Sequence, residues 1–133
     1  MQNRVHATNV LPTPAPTVVG IVTDSVLSTA FQLPYLNCLN LRVDIIVATI
    51  TQVGTITLKL QHRDAGGTWA DVAGTNASLA ITATGTKTLR QNVEDSSNDL
   101  QNMPLRPMCR VVVTSTNSAD RLTLSAIYFY KSV

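Results

Sequence analysis

The sequence predicts an all-β domain: an antiparallel β-sandwich, wound as a jelly roll of about eight strands. Three observations carry that expectation. Apolar residues recur with a period of two in LRVDIIVATITQ, TITLKLQ and CRVVVTST, the spacing of a strand with one face in a core. Turn signals such as QVG and DAGG come at intervals of about ten residues, and no helical pattern long enough for a crossover separates the strands. Only 14% of residues are charged while 44% are hydrophobic, so Thr, Ser, Asn and Gln must make the polar surface, and β-branched residues suit a pleated one. An immunoglobulin-like sandwich is the alternative, but its tryptophan belongs on a central strand, and Trp69 follows a turn.

Residues 1–17 hold Pro12, Pro14 and Pro16 in LPTPAPT, which removes backbone donors and favours an extended, polyproline-like path. They are expected to form an N-terminal arm distinct from a body of residues 18–133. The arm gains order only against something else, with Val5, Val10, Leu11 and the three prolines as partner-binding positions. In the body, Leu41, Val43, Ile45 and Val47 share one face of a strand, and Arg42, Asp44, Ile46, Ala48 and Ile50 the other. Gly54 turns the chain into TITLKLQ, where Ile56, Leu58 and Leu60 point inward. A turn closed by Gly66 and Gly67 leads to a short strand at Trp69 and Val72. SLAITAT follows with Leu79 and Ile81 inward, then Gly85 and a further strand in TKTLRQNV. The one helical turn is expected in EDSSNDLQNM, capped by Asp95, Ser96 or Ser97. In CRVVVTST, Cys109, Val111 and Val113 alternate with Arg110, Val112 and Thr114. The last run, RLTLSAIYFYKSV, puts Leu122, Leu124, Ala126, Tyr128 and Tyr130 on one face and Thr123, Ser125, Ile127 and Phe129 on the other. Both faces are apolar at its end, so one fills the core and the other meets a neighbour. Ile127, Tyr128, Phe129 and Tyr130 are the candidate oligomer contact.

Ten basic and eight acidic residues, net +2, are scattered without the basic run that marks a nucleic-acid partner. No apolar stretch spans a bilayer, and MQNRVHATNVLPTP lacks the core of a signal peptide, so the chain is expected to stay where it is made. Cys38 and Cys109 are then expected to be reduced rather than bridged. His6 and His62 lack spaced partners for a metal. Glu94, Asp95, Asn98 and Asp99 offer oxygen ligands without the spacing or glycine of a calcium loop. With no nucleophile elbow, motif-placed Cys–His pair or phosphate-cradling glycine loop, neither catalysis nor a cofactor is expected. One candidate for ligand stacking remains, Trp69, with His62, Asp64 and Asp71 as polar neighbours for a sugar or a base. Its structural alternative is a lid on the sandwich edge, partly exposed if Val72 faces the core.

The stretch LKLQHRDAGGTWADVAG, followed by Thr- and Ser-rich strands and an aromatic last strand, resembles small virion proteins of tailed bacteriophages. A strand of the form x-L-x-x-S-D-D-G-x-T-W-x-D-V recurs in them; Gly67, Thr68, Trp69, Asp71 and Val72 fit it, and His62, Arg63 and Asp64 depart from it. The resemblance implies a jelly-roll decoration (cement) protein on the outer surface of an icosahedral head, made in the host cytoplasm. It would bind as a dimer or trimer between major capsid subunits. The same strand pattern occurs in tail and baseplate modules and in carbohydrate-binding domains, so these, with a neck protein, are the competing functions.

Overall fold

The period-two runs become strands, and their inward positions become one core. The computed structural model describes residues 6–32, 40–63, 67–72, 77–92 and 108–132, with no helix among them. Val5, Cys38, Asp64, Gly66 and the stretch 93–107, with its expected helical turn and its oxygen ligands Glu94, Asp95, Asn98 and Asp99, lie outside the described residues. In chain order the strands are β1 (His6–Asn9), β2 (Thr17–Val19), β3 (Val22–Val26), β4 (Phe31–Gln32), β5 (Asn40–Thr51) and β6 (Ile56–Arg63). They continue with β7 (Trp69–Asp71), β8 (Ser78–Ile81), β9 (Gly85–Asn92), β10 (Met108–Ser115) and β11 (Arg121–Ser132).

These strands form two antiparallel sheets packed as a β-sandwich. In the first sheet β1 and β2 both pair with β11, which pairs with β5, which pairs with β9. In the second, β3 and β4 both pair with β10, which pairs with β6, and β6 carries β7 and β8 on its far side. The core lies between them. Leu41, Val43, Ile45, Val47 and Leu89 face it from the first sheet, and Ile56, Leu58, Leu60, Cys109, Val111 and Val113 from the second. Burial of each large aliphatic side chain stabilises by about 1.5–3 kcal/mol. Across the sandwich, the rings of Phe31 and Phe129 stack with centroids 4.4 Å apart.

The last strand departs from simple alternation. Leu122 and Leu124 are buried, and so are Ile127 and Phe129, although an unbroken strand would put the two pairs on opposite faces. The pairing with β5 skips Ala48 and then Ser125, and the extra residue at Ser125 is a bulge that reverses parity. This corrects the expected oligomer contact. Ile127 and Phe129 belong to the core, and only Tyr128 and Tyr130 stay partly exposed on the outer face.

The expected arm is also corrected, because His6–Asn9 form a strand of the first sheet and Val10 and Leu11 pack into the core behind it. β1 pairs with the end of β11, Ala7 opposite Tyr130 and Asn9 opposite Tyr128. Val10 is buried; its N–H donates to the Ile127 carbonyl at 2.8 Å, and its carbonyl accepts from the Thr29 N–H at 2.8 Å. Leu11 packs against the core. The Asn9 side chain accepts from the N–H groups of Leu11 and Ile127. The physical reason is non-local: Asn9 and Ile127 are 118 positions apart, and an edge strand of four residues is ordered by its partner rather than by its own pattern. What stays on the surface is the connection to β2, where Thr13, Pro14 and Ala15 are exposed and Pro12 and Pro16 half-buried.

One end of the sandwich is closed by Asp120. The β5–β6 and β10–β11 connections meet there, and Asp120 is fully buried. Its carboxylate accepts from the backbone N–H groups of Val53 (2.7 Å), Gly54 (2.9 Å) and Asn117 (3.1 Å). Gly54 is needed by close approach: a Cβ there would lie 2.5 Å from Thr116 Oγ1 and 2.7 Å from Asn117 Cβ.

Candidate functional site

Both outer faces carry aromatic side chains against arginines. On the first sheet the outward residues of neighbouring strands fall into rows, Tyr130 beside Arg42 and Arg90, and Tyr128 beside Asp44 and Thr88. The Arg42 guanidinium lies 4.3 Å from the centre of the Tyr130 ring. Arg42 also donates to Asp44 at 3.0 Å, and Thr88 Oγ1 donates to the same carboxylate at 2.8 Å. Arg42 is thus both stacked and paired with a carboxylate.

The second face is built on β6, β7 and β10. Alternation on β6 sends Lys59, Gln61 and Arg63 outward, and pairing with β7 sets Gln61 opposite Asp71 and Arg63 opposite Trp69. On the other side β10 sets Arg110 opposite Gln61. Val72 is buried and Trp69 partly exposed, so Trp69 and Asp71 take the outer side. The Arg110 guanidinium stands 4.2 Å from the indole centre and that of Arg63 5.7 Å. Arg110 Nε donates to Gln61 Oε1 at 3.0 Å, and Gln61 Nε2 donates to Asp71 Oδ1 at 2.9 Å. Lys59 pairs with Asp71 at 3.0 Å and with Asp24 at 2.6 Å. One continuous chain of contacts therefore runs from Asp24 through Lys59, Asp71, Gln61 and Arg110 to Trp69.

The electrostatics follow from these partners. Burial by itself would lower the Lys59 pKa, but hydrogen bonds and charge from Asp24 and Asp71 outweigh it and raise it. Burial would raise the Asp71 carboxyl; hydrogen bonds from Gln61 and Lys59 and the Lys59 charge hold it below its usual value instead. For Arg110, burial lowers the pKa and the Asp24 charge opposes this, in a group that stays protonated at any ordinary pH. Asp24 sits in the left-handed region at φ 50°, which Asp tolerates better than most residues. The pairing of β3 with β10 is irregular around it, and the bulge turns its carboxylate toward Lys59.

The expected ligand cluster around Trp69 is therefore only partly assembled. Asp71 is on its face, but His62 is buried on the core side opposite Cys109, and Asp64 lies outside the described residues. The indole, expected as a platform for a sugar or base, is already engaged by Arg110. Arg63 was within reach of sequence reasoning, since a hairpin through DAGGT sets it opposite Trp69. Arg110 was not, because it arrives from a strand 49 positions from Gln61. Among the described residues no group of three His, Cys, Asp or Glu side chains is placed to hold a metal.

No family model matches the chain, and neither the curated proteins nor the solved structures give a significant match.

Proposed function

We propose that the chain is a structural subunit that works by contact: a decoration (cement) protein seated between major capsid subunits on the outer surface of a phage head, self-associated as a dimer or trimer. The observation that carries this reading is the pair Tyr128 and Tyr130, partly exposed on a central strand whose inner face is committed to the core. Aromatic residues and arginines held on a rigid face are the types that dominate protein contacts. The winding supports it. Counting β1 with β2, β3 with β4, and β7 with β8 as single positions, each sheet has four positions. That four-on-four arrangement is compatible with a jelly roll, an architecture common in capsid proteins and lectins. Exposed Val19, Ile21 and Val53, near the Asp120 end, add apolar surface outside the core.

Light scattering on the purified chain tests the self-association. A dimer or trimer that the double variant Tyr128→Ser, Tyr130→Ser converts to a folded monomer is expected; a wild type that stays monomeric at every concentration overturns it. Cosedimentation with shells lacking the protein tests the capsid role, and failure to pellet with them overturns that role. Truncation of residues 1–17 is not a clean test of contact, because it removes β1, Val10 and the first residue of β2 and so is expected to unfold the domain.

A further inference from the structure

Arg110 is held in place by two contacts that leave its terminal nitrogens without an ion pair among the described residues, although the Asp24 charge acts on it from farther off. Its guanidinium is stacked on Trp69, and its Nε–H is spent on Gln61, which is itself buried and tied to Asp71. Neither contact uses the terminal nitrogens, the fork that grips a carboxylate with two parallel hydrogen bonds. Arg63 brings a second guanidinium to the same ring. The carboxylates nearby are committed, since Asp24 and Asp71 both pair with Lys59. Among the described residues neither arginine has a carboxylate within ion-pair distance. The first sheet shows the closed version of the same arrangement, in which Arg42 is stacked on Tyr130 and paired with Asp44.

We propose that the Arg63–Trp69–Arg110 face docks a partner protein through an exposed Asp or Glu side chain, its carboxylate gripped by the Arg110 fork and flanked by Arg63. Charge complementarity argues for the occupant, because among the described residues of this face three cations, Lys59, Arg63 and Arg110, meet two carboxylates, Asp24 and Asp71, and the excess positive charge attracts a carboxylate and repels a basic surface. Stacking and the Gln61 hydrogen bond orient the fork beforehand, so less ordering is lost on binding. An open sheet face suits a side chain presented on another protein better than a small molecule, which needs an enclosing cleft. The inference rests on the chain's proposed role in assembly only in taking the occupant to be a protein.

Trp69 is the single tryptophan, so its fluorescence reports on this face alone. The full chain is titrated with a blocked hexaglutamate peptide, with hexaglutamine, inorganic phosphate and heparin as comparisons. The expected result is a saturable, salt-sensitive change with hexaglutamate only, weakened at least about fivefold by Arg110→Gln. Arg110→Lys, which keeps the charge and loses the fork, also weakens it. Arg63→Gln weakens it less, and Lys87→Gln on β9 leaves it unchanged. No response in the wild type, or an equal response in folded Arg110→Gln and Arg63→Gln, overturns the proposal. A response to phosphate or heparin at lower concentration than to the peptide overturns the protein carboxylate as occupant. Hexaglutamate binding by a chain that never self-associates or pellets with shells sinks the assembly role and leaves this face standing; assembly without any peptide response does the reverse.

Discussion

At the Asp120 end of the sandwich, a buried carboxylate has its oxygens filled by backbone N–H groups from two connections. On the outer face of the second sheet, two guanidiniums share one indole and, among the described residues, have no carboxylate within ion-pair distance. Both clusters are polar, and both join segments far apart in the chain. The difference is in what is left over. A cluster whose donors and acceptors are all matched within the chain has nothing to offer a partner, and its loss falls on stability, because buried polar groups are costly to leave unmet. A cluster with unused donors contributes little to folding and keeps its interaction energy for binding.

The largest expected effect is at the closed end. Asp120→Ala orphans the N–H groups of Val53, Gly54 and Asn117, and Gly54→Ala drives a methyl into Thr116 and Asn117. Each is expected to lower Tm by more than about 5 °C in a thermal melt. A melt within a degree or so of wild type would show that the matched hydrogen bonds at this corner contribute little to stability.

Acid should separate the two regions next. Burial would raise the Asp120 carboxyl, but hydrogen bonds from the Val53, Gly54, Asn117 and Thr116 backbone outweigh it and hold it below its ordinary value; Asp71 is lowered as well. A lowered folded pKa contributes stability that is present above the unfolded value of about 4 and is lost as pH falls through the folded value. Urea denaturation from pH 5 downward should show that loss, and Asp120→Asn should flatten it. Asp71→Asn should flatten it less, since the Asp71 side chain is 55% exposed and screened by water.

A smaller cost is expected for Lys59→Met, which leaves Asp24 and Asp71 facing each other across an apolar side chain. Both partners are solvent-exposed, so the loss should be about 1 kcal/mol by urea denaturation. The smallest belongs to Arg110→Gln, which should change stability by less than about 1 kcal/mol while weakening the peptide response at least about fivefold. If that variant unfolds instead, the open cluster is part of the scaffold and the contrast with Asp120 fails.

The inner faces of this protein are legible in its sequence. Leu41, Val43, Ile45 and Val47, then Ile56, Leu58 and Leu60, then Cys109, Val111 and Val113 all fall inward where their alternation puts them, because a strand with one wet face has no other way to bury its apolar side chains. The exposure of Trp69 beside a buried Val72 follows from the same rule. Alternation says which side of a strand is apolar and nothing about which strand lies beside it. The bulge at Ser125, the docking of β1 on β11, the arrival of Arg110 over Trp69 and the burial of Asp120 each depend on segments brought together from distant parts of the chain. Only the tertiary structure decided those, because register and neighbours are settled by packing the two sheets against each other, and one residue of slip reverses every face.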